Sequence, residues 1–108
     1  MVPTMNAWPA LAKVAALDWA NDIREKLKLP ALSELEKGIP RDTRCCPLAN
    51  TIKKDSNYDI EVSTMAIQID GCGRAYFPAL VGQFVILFDN MPHNNYPELI
   101  APEGRFLR

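Results

Sequence analysis

From Trp8 to Leu27 the apolar side chains return every three or four residues, at Trp8, Leu11, Ala12, Ala15, Trp19, Ile23 and Leu27. That spacing is one stripe of an amphipathic α-helix. Lys13, Asp18, Asp22, Lys26 and Lys28 lie mostly off the stripe, on what becomes the solvated face. Asn6 can cap the helix, and Pro9 is tolerated in a first turn, where backbone N–H groups lack partners anyway. Leu29-Pro30 ends it, because the residue before a proline is pushed out of the helical region. A long helix over roughly residues 7–28 therefore heads the fold.

Two shorter helical signals follow. Ala31 to Lys37 reads as two turns, with Leu32 and Leu35 inward and Gly38 as a left-handed cap. Ile39 to Arg44 reads as a loop. Cys46-Pro47 opens a further helix, with Pro47 at its first position and Leu48, Ala49 and Ile52 on its buried face. Lys53 and Lys54 fall where cations suit the negative end of the helix dipole, and Asp55-Ser56-Asn57 is turn chemistry.

After this point the period changes to two. Tyr58, Ile60 and Val62 alternate with polar residues, and so do Met65, Ile67 and Ile69, which predicts two half-buried strands. The apolar parity shifts between them, so Ser63-Thr64 is a turn or a bulge. Asp70-Gly71-Cys72-Gly73 signals a second turn before a short segment, Arg74 to Phe77. Pro78 to Asn90 contains an apolar run, Phe84 to Phe88, that suits a buried strand. Its length and the spacing of Leu80, Val81, Phe84, Val85 and Phe88 favour a helix. The tail from Met91 to Arg108 holds Pro92, Pro97 and Pro102 and reads as irregular, pinned by Tyr96, Leu99, Ile100 and Phe106. The class is α+β: a long N-terminal helix, two short helices, a small antiparallel sheet of two to three strands, then an apolar helix and an irregular tail.

Composition narrows the function. Of 108 residues 48% are apolar and 23% charged, an ordinary globular balance that excludes a disordered or low-complexity chain and fits one domain over residues 1–108. The longest apolar stretch, Phe77 to Phe88, is far short of the ~20 residues that span a bilayer. Met1 to Trp8 carries no Lys or Arg, so no signal peptide is expected. Three cysteines at no framework spacing fit a reducing compartment, and hence the cytoplasm. Net charge is −1, but residues 1–54 sum to +3 and residues 55–108 to −4. Lys37, Arg41, Arg44, Lys53 and Lys54 make the densest basic segment. A solvated surface is the favoured reading of it, and nucleic-acid binding over residues 37–54 the alternative, because no aromatics interleave the cations.

Among candidate chemical residues Cys46 stands first. At a helix N-cap, with Arg41 and Arg44 near, a thiolate would be stabilised for nucleophilic or redox work. The competing and favoured reading is a small buried residue packing the helix start. A thiolate enzyme usually needs a histidine, and the sole one, His93, lies in a Pro/Asn-rich loop. A zinc site would draw on Cys45, Cys46, Cys72 and His93 without C-x-x-C spacing, so no metal is expected. Gly71-Cys72-Gly73 lacks a phosphate-loop pattern, and no cofactor is expected. Asp89 and Arg74 suit a structural ion pair.

Trp8 and Trp19 lie on the first helix's apolar stripe, where core packing is the favoured reading and partner anchoring the alternative. The helix carrying Phe84 and Phe88 is apolar nearly all round, so its cover comes either from a second copy or partner, or from the C-terminal tail.

Pro40-Arg-Asp-Thr-Arg-Cys-Cys-Pro-Leu-Ala-Asn-Thr-Ile resembles a Cys-Pro-(Leu/Ile)-Ala segment of small uncharacterised proteins of actinobacteria and their phages. In that family a Phe-Val-x-x-Phe-Asp helix end and a Tyr-Pro-Glu-Leu segment follow. Phe84-Val-Ile-Leu-Phe-Asp89 and Tyr96-Pro-Glu-Leu99 match in order. The resemblance spans about residues 40–100 and departs from it at a longer insert, Asn90 to Asn95. It implies a phage or prophage origin, with action on a host protein, and supplies no catalytic residue. The expectation is a non-enzymatic protein acting by protein–protein interaction through Trp8, Trp19, Phe84 and Phe88.

Overall fold

The computed structural model describes residues 3–63, 65–90 and 95–101. In chain order these form α1 (Pro3–Lys26), α2 (Pro47–Lys53), strands β1 (Ile60–Val62), β2 (Ala66–Ile69) and β3 (Gly73–Tyr76), α3 (Ala79–Asp89) and a 3-10 turn at Pro97–Leu99. The α+β class and the long first helix stand. The helix begins before Asn6, which is therefore an interior residue and not its cap. The sheet is antiparallel in the order β1-β2-β3. Ile60 pairs with Ile69 and Val62 with Ile67, which places all four buried side chains on one face. Ser63 closes the first turn, its N–H donating to the Ala66 carbonyl at 2.8 Å. Met65 does not join the inward row; it is exposed.

Helix α1 packs on α3 and on α2, and α2 in turn on β1. The buried line of α1 is Ala12, Ala16, Ala20 and Ile23. Interaxial distance follows the side chains at the contact, so alanines let the neighbouring helices come close. The line is turned away from Trp8 and Leu11, which stay exposed. Residues 79–89 form the helix that length and spacing favoured over a strand. Its Val81, Phe84, Val85 and Phe88 are buried, and Phe84 meets Tyr96 with ring centroids 4.8 Å apart. Cover for the buried side of α3 thus comes from α1 and from Tyr96, within one chain, while Ile86 on its other side stays exposed. Phe106 lies outside the described residues.

The two-turn helix expected over Ala31–Lys37 does not form. Its backbone groups are bonded to distant side chains instead. Asn21 clamps Leu32 at both its N–H and its carbonyl, at 2.9 Å each. The Glu36 N–H donates to the Thr51 hydroxyl at 2.8 Å, and the Asn50 amide donates to the Lys37 carbonyl at 2.8 Å. Gly38 is not a left-handed cap either, since its φ is not positive. It is needed where the chain passes against the Cys45–Pro47 backbone.

Arg24, on α1, is fully buried. Its Nη1 lies 2.9–3.1 Å from the carbonyls of Thr51, Ile52 and Lys54, and its Nε donates to the Pro30 carbonyl at 2.7 Å. The three α2 carbonyls lie at its C-terminal end, where helical partners run out; of them Thr51 also accepts a long bond, from the Lys54 N–H at 3.5 Å. One guanidinium therefore caps α2, closes the α1–α2 angle and anchors the turn after α1.

Candidate functional site

The basic segment is largely paired with acids or helix ends. Arg44 bridges to Asp59 at 2.6 Å and Glu61 at 3.6 Å, and Lys54 bridges to Glu36 at 3.2 Å. Asp59 and Glu61 raise the Arg44 pKa, first through the Asp59 hydrogen bond. The Lys53 ammonium donates to the Arg44 carbonyl at 2.7 Å. Arg41 adopts a left-handed φ of 64° and turns back on the end of α3. Its N–H donates to Asp89 Oδ1 at 2.8 Å and its Nε to the Asp89 carbonyl at 3.3 Å, a cation at the negative end of a helix. Lys37 is exposed. Four of the five cations are thus held against β1, α3 or neighbouring loops and do not form one open stripe. The ion pair foreseen between Arg74 and Asp89 is absent, for Asp89 faces Arg41 and Arg74 donates to Gln68 across the sheet at 3.3 Å.

Cys46 is the N-cap of α2, and the Ala49 N–H donates to its Sγ at 3.4 Å. The position was legible from Cys46-Pro47, but the chemistry runs the other way from a reactive thiolate. Burial pushes the Cys46 thiol up to about 12, against which the bond from Ala49 works only partly. A cavity of about 110 Å³ touches it, walled by Thr43, Val62, Val85 and Asp89. Cys45 is buried beside it, while Cys72 is exposed on the turn before β3. Among the described residues no group of three or more His, Cys, Asp or Glu could hold a metal ion. His93 lies outside the described residues.

The folded state keeps the Cys46 proton to about pH 12, while an unfolded chain releases it from an ordinary value near 9. Between those two values the unfolded state binds fewer protons, so stability falls as pH rises. Tyr96, pushed up to about 12 by burial, adds the same sign. The urea midpoint is expected to drop from about pH 9 upward, and more gently in Cys46→Ala. An unchanged midpoint at about pH 10.5 would contradict the burial of this thiol.

The four side chains foreseen as partner anchors divide in two. Phe84 and Phe88 are each 1% exposed and belong to the core, so neither can meet a partner. The sequence showed α3 to be apolar all round but not which elements would cover it. Trp19 is half-buried, with its ring edge-on to Phe77 at 5.6 Å. Trp8 alone remains open, at 42% exposure, and it is joined by Leu11 at 51% and Val14 at 59%. Steps of three residues place these side chains on one outer ridge of α1. Val14 was not foreseen; its place on that ridge was readable from the helical period once the buried line was fixed by the alanines.

A hollow of about 430 Å³ lies between α1 and the 34–37 segment, and three of its five charged side chains, Lys13, Glu36 and Glu98, are already paired, while Glu34 and Lys37 are exposed at its edge. Lys13 meets Glu98 at 2.7 Å and lowers the Glu98 carboxyl pKa, and Glu36 is taken by Lys54. No described helix is long and apolar enough to cross a membrane. Comparison with known proteins finds no matching family model, no similar curated protein and no similar solved structure.

Proposed function

We propose that this chain is a non-enzymatic interaction protein that binds another protein through the outer ridge of α1. The observation that carries this is the row of exposed apolar side chains at Trp8, Leu11 and Val14, led by an aromatic of the kind that dominates binding energy at interfaces. The likeness to actinobacterial and phage proteins supports a phage or prophage origin and a host protein as the target. Three free cysteines fit action in the host cytoplasm. A homodimer through α3 is not favoured, because Phe84 and Phe88 are taken up in the chain's own core. Light scattering is expected to give the 12.1 kDa monomer, and a concentration-independent dimer would move attention back to self-association.

The ridge is tested by Leu11→Asp and Val14→Asp in tagged protein expressed in its native host. Both positions are exposed, so each variant is expected to keep its far-UV spectrum and to lose under ~1 kcal/mol of stability. A protein that co-purifies with the parent should be absent from both variants. Equal recovery with parent and variants would refute the ridge. Nucleic-acid binding is less favoured, four of the five cations of residues 37–54 being already engaged. DNA or RNA retention at low salt, falling steeply as salt rises, would reinstate it.

A further inference from the structure

The ridge of α1 does not end at Val14. Further steps of four and three residues carry the same line to Asp18, Asp22 and Glu25, all exposed. Among the described residues, none of these three carboxylates takes part in an ion pair; other acids are also unpaired, but these three are the ones that share one line of one helix. From Trp8 to Glu25 the line runs ~25 Å along the helix axis, its first half apolar and its second half acidic, with the exposed Lys26 closing it at the last residue of α1. It is one helix wide, with ridge spacing of the kind that fits the grooves of another helix.

Resting on the interaction reading above, we propose that the occupant of this ridge is an amphipathic helix of a partner protein whose apolar stripe runs into a cluster of Lys and Arg. The apolar half supplies desolvated contact around Trp8. The unpaired acidic half selects a basic end, sets the direction of the partner helix and speeds its approach. An anionic membrane surface is disfavoured by the same three carboxylates, which would be repelled by it.

The test is selection of helical peptides of about 16 residues, long enough to span the ridge, from a random displayed library on the immobilised full chain. Enriched sequences are expected to combine an apolar stripe at three- and four-residue steps with Lys or Arg grouped at one end. The best synthetic peptide should lose all measurable binding to Leu11→Asp. It should bind Asp18→Lys/Asp22→Lys about tenfold more weakly, and the parent about tenfold more weakly at high salt than at low. Apolar peptides with no basic bias, lost on Leu11→Asp but indifferent to the charge reversal, would overturn the partner chemistry and leave the ridge as the binding surface. Peptides whose binding survives Leu11→Asp, or no enrichment at all, would overturn both. Uptake of the protein by vesicles of phosphatidylcholine and phosphatidylglycerol, lost on Leu11→Asp, would also overturn the helix partner in favour of a lipid surface.

Discussion

Arg24→Ala is expected to lower the unfolding free energy by about 3–5 kcal/mol, among the largest effects any single surface-remote substitution can have in a chain this size. The guanidinium is fully buried and donates to four carbonyls, three of them at the open end of α2. Alanine removes the donor to all four, leaves the buried Ile52 carbonyl without it and the Thr51 carbonyl with only its long bond from Lys54, and adds a cavity. The two causes separate in Arg24→Met, which restores volume but no donor. If hydrogen bonding dominates, methionine recovers little and Arg24→Lys recovers more. Urea unfolding at neutral pH measures all three. A loss below ~1 kcal/mol in Arg24→Ala would mean that α2 is held by its packing on β1 and not by this cap.

Gly38→Ala comes next, with an expected cost of about 3 kcal/mol. A Cβ at this position would fall 2.5 Å from the Cys46 carbonyl carbon and 2.6 Å from the Cys45 oxygen, both backbone atoms that cannot swing aside. The Gly38 N–H donates to the Leu99 carbonyl at 2.7 Å, and its own carbonyl accepts from Ala101 N–H at 2.8 Å. Pushing residue 38 outward therefore breaks the junction of the α2 start with the C-terminal segment. Gly71→Ala is the comparison. Residue 71 has a φ of +82° but open space around it, so only local strain of ~1 kcal/mol is expected. A loss at Gly38 no larger than that at Gly71 would show that the Cys45–Pro47 backbone gives way to the added Cβ and that close approach does not set the cost.

What could be read from the sequence was what local physics decides. The period of Trp8 to Leu27 specified a helix, the alternation through Tyr58 to Ile69 specified strands, and Cys46-Pro47 specified a cap. What could not be read depends on partners distant in sequence. Ala31 to Lys37 has acceptable helical spacing, yet Asn21, Asn50 and Thr51 offer its backbone better bonds than its own turns would. Arg24 resembles any helix-surface arginine until α2 arrives above it. The basic segment likewise reads as a patch until β1 brings Asp59 and Glu61 to Arg44. The candidate site suffered most: Phe84 and Phe88 were taken inward, and only Trp8 kept the exposure an anchor needs, because the alanine line of α1, not its largest side chains, faces the core.

The most direct test of the central claim is photocrosslinking in the native host, with p-benzoylphenylalanine placed at Val14 on the ridge and, separately, at Asp70 on the turn after β2. The account predicts one discrete adduct with another protein from position 14, abolished when Leu11→Asp is added, and none from position 70. Adducts of equal yield from both positions, or none from position 14, would contradict it.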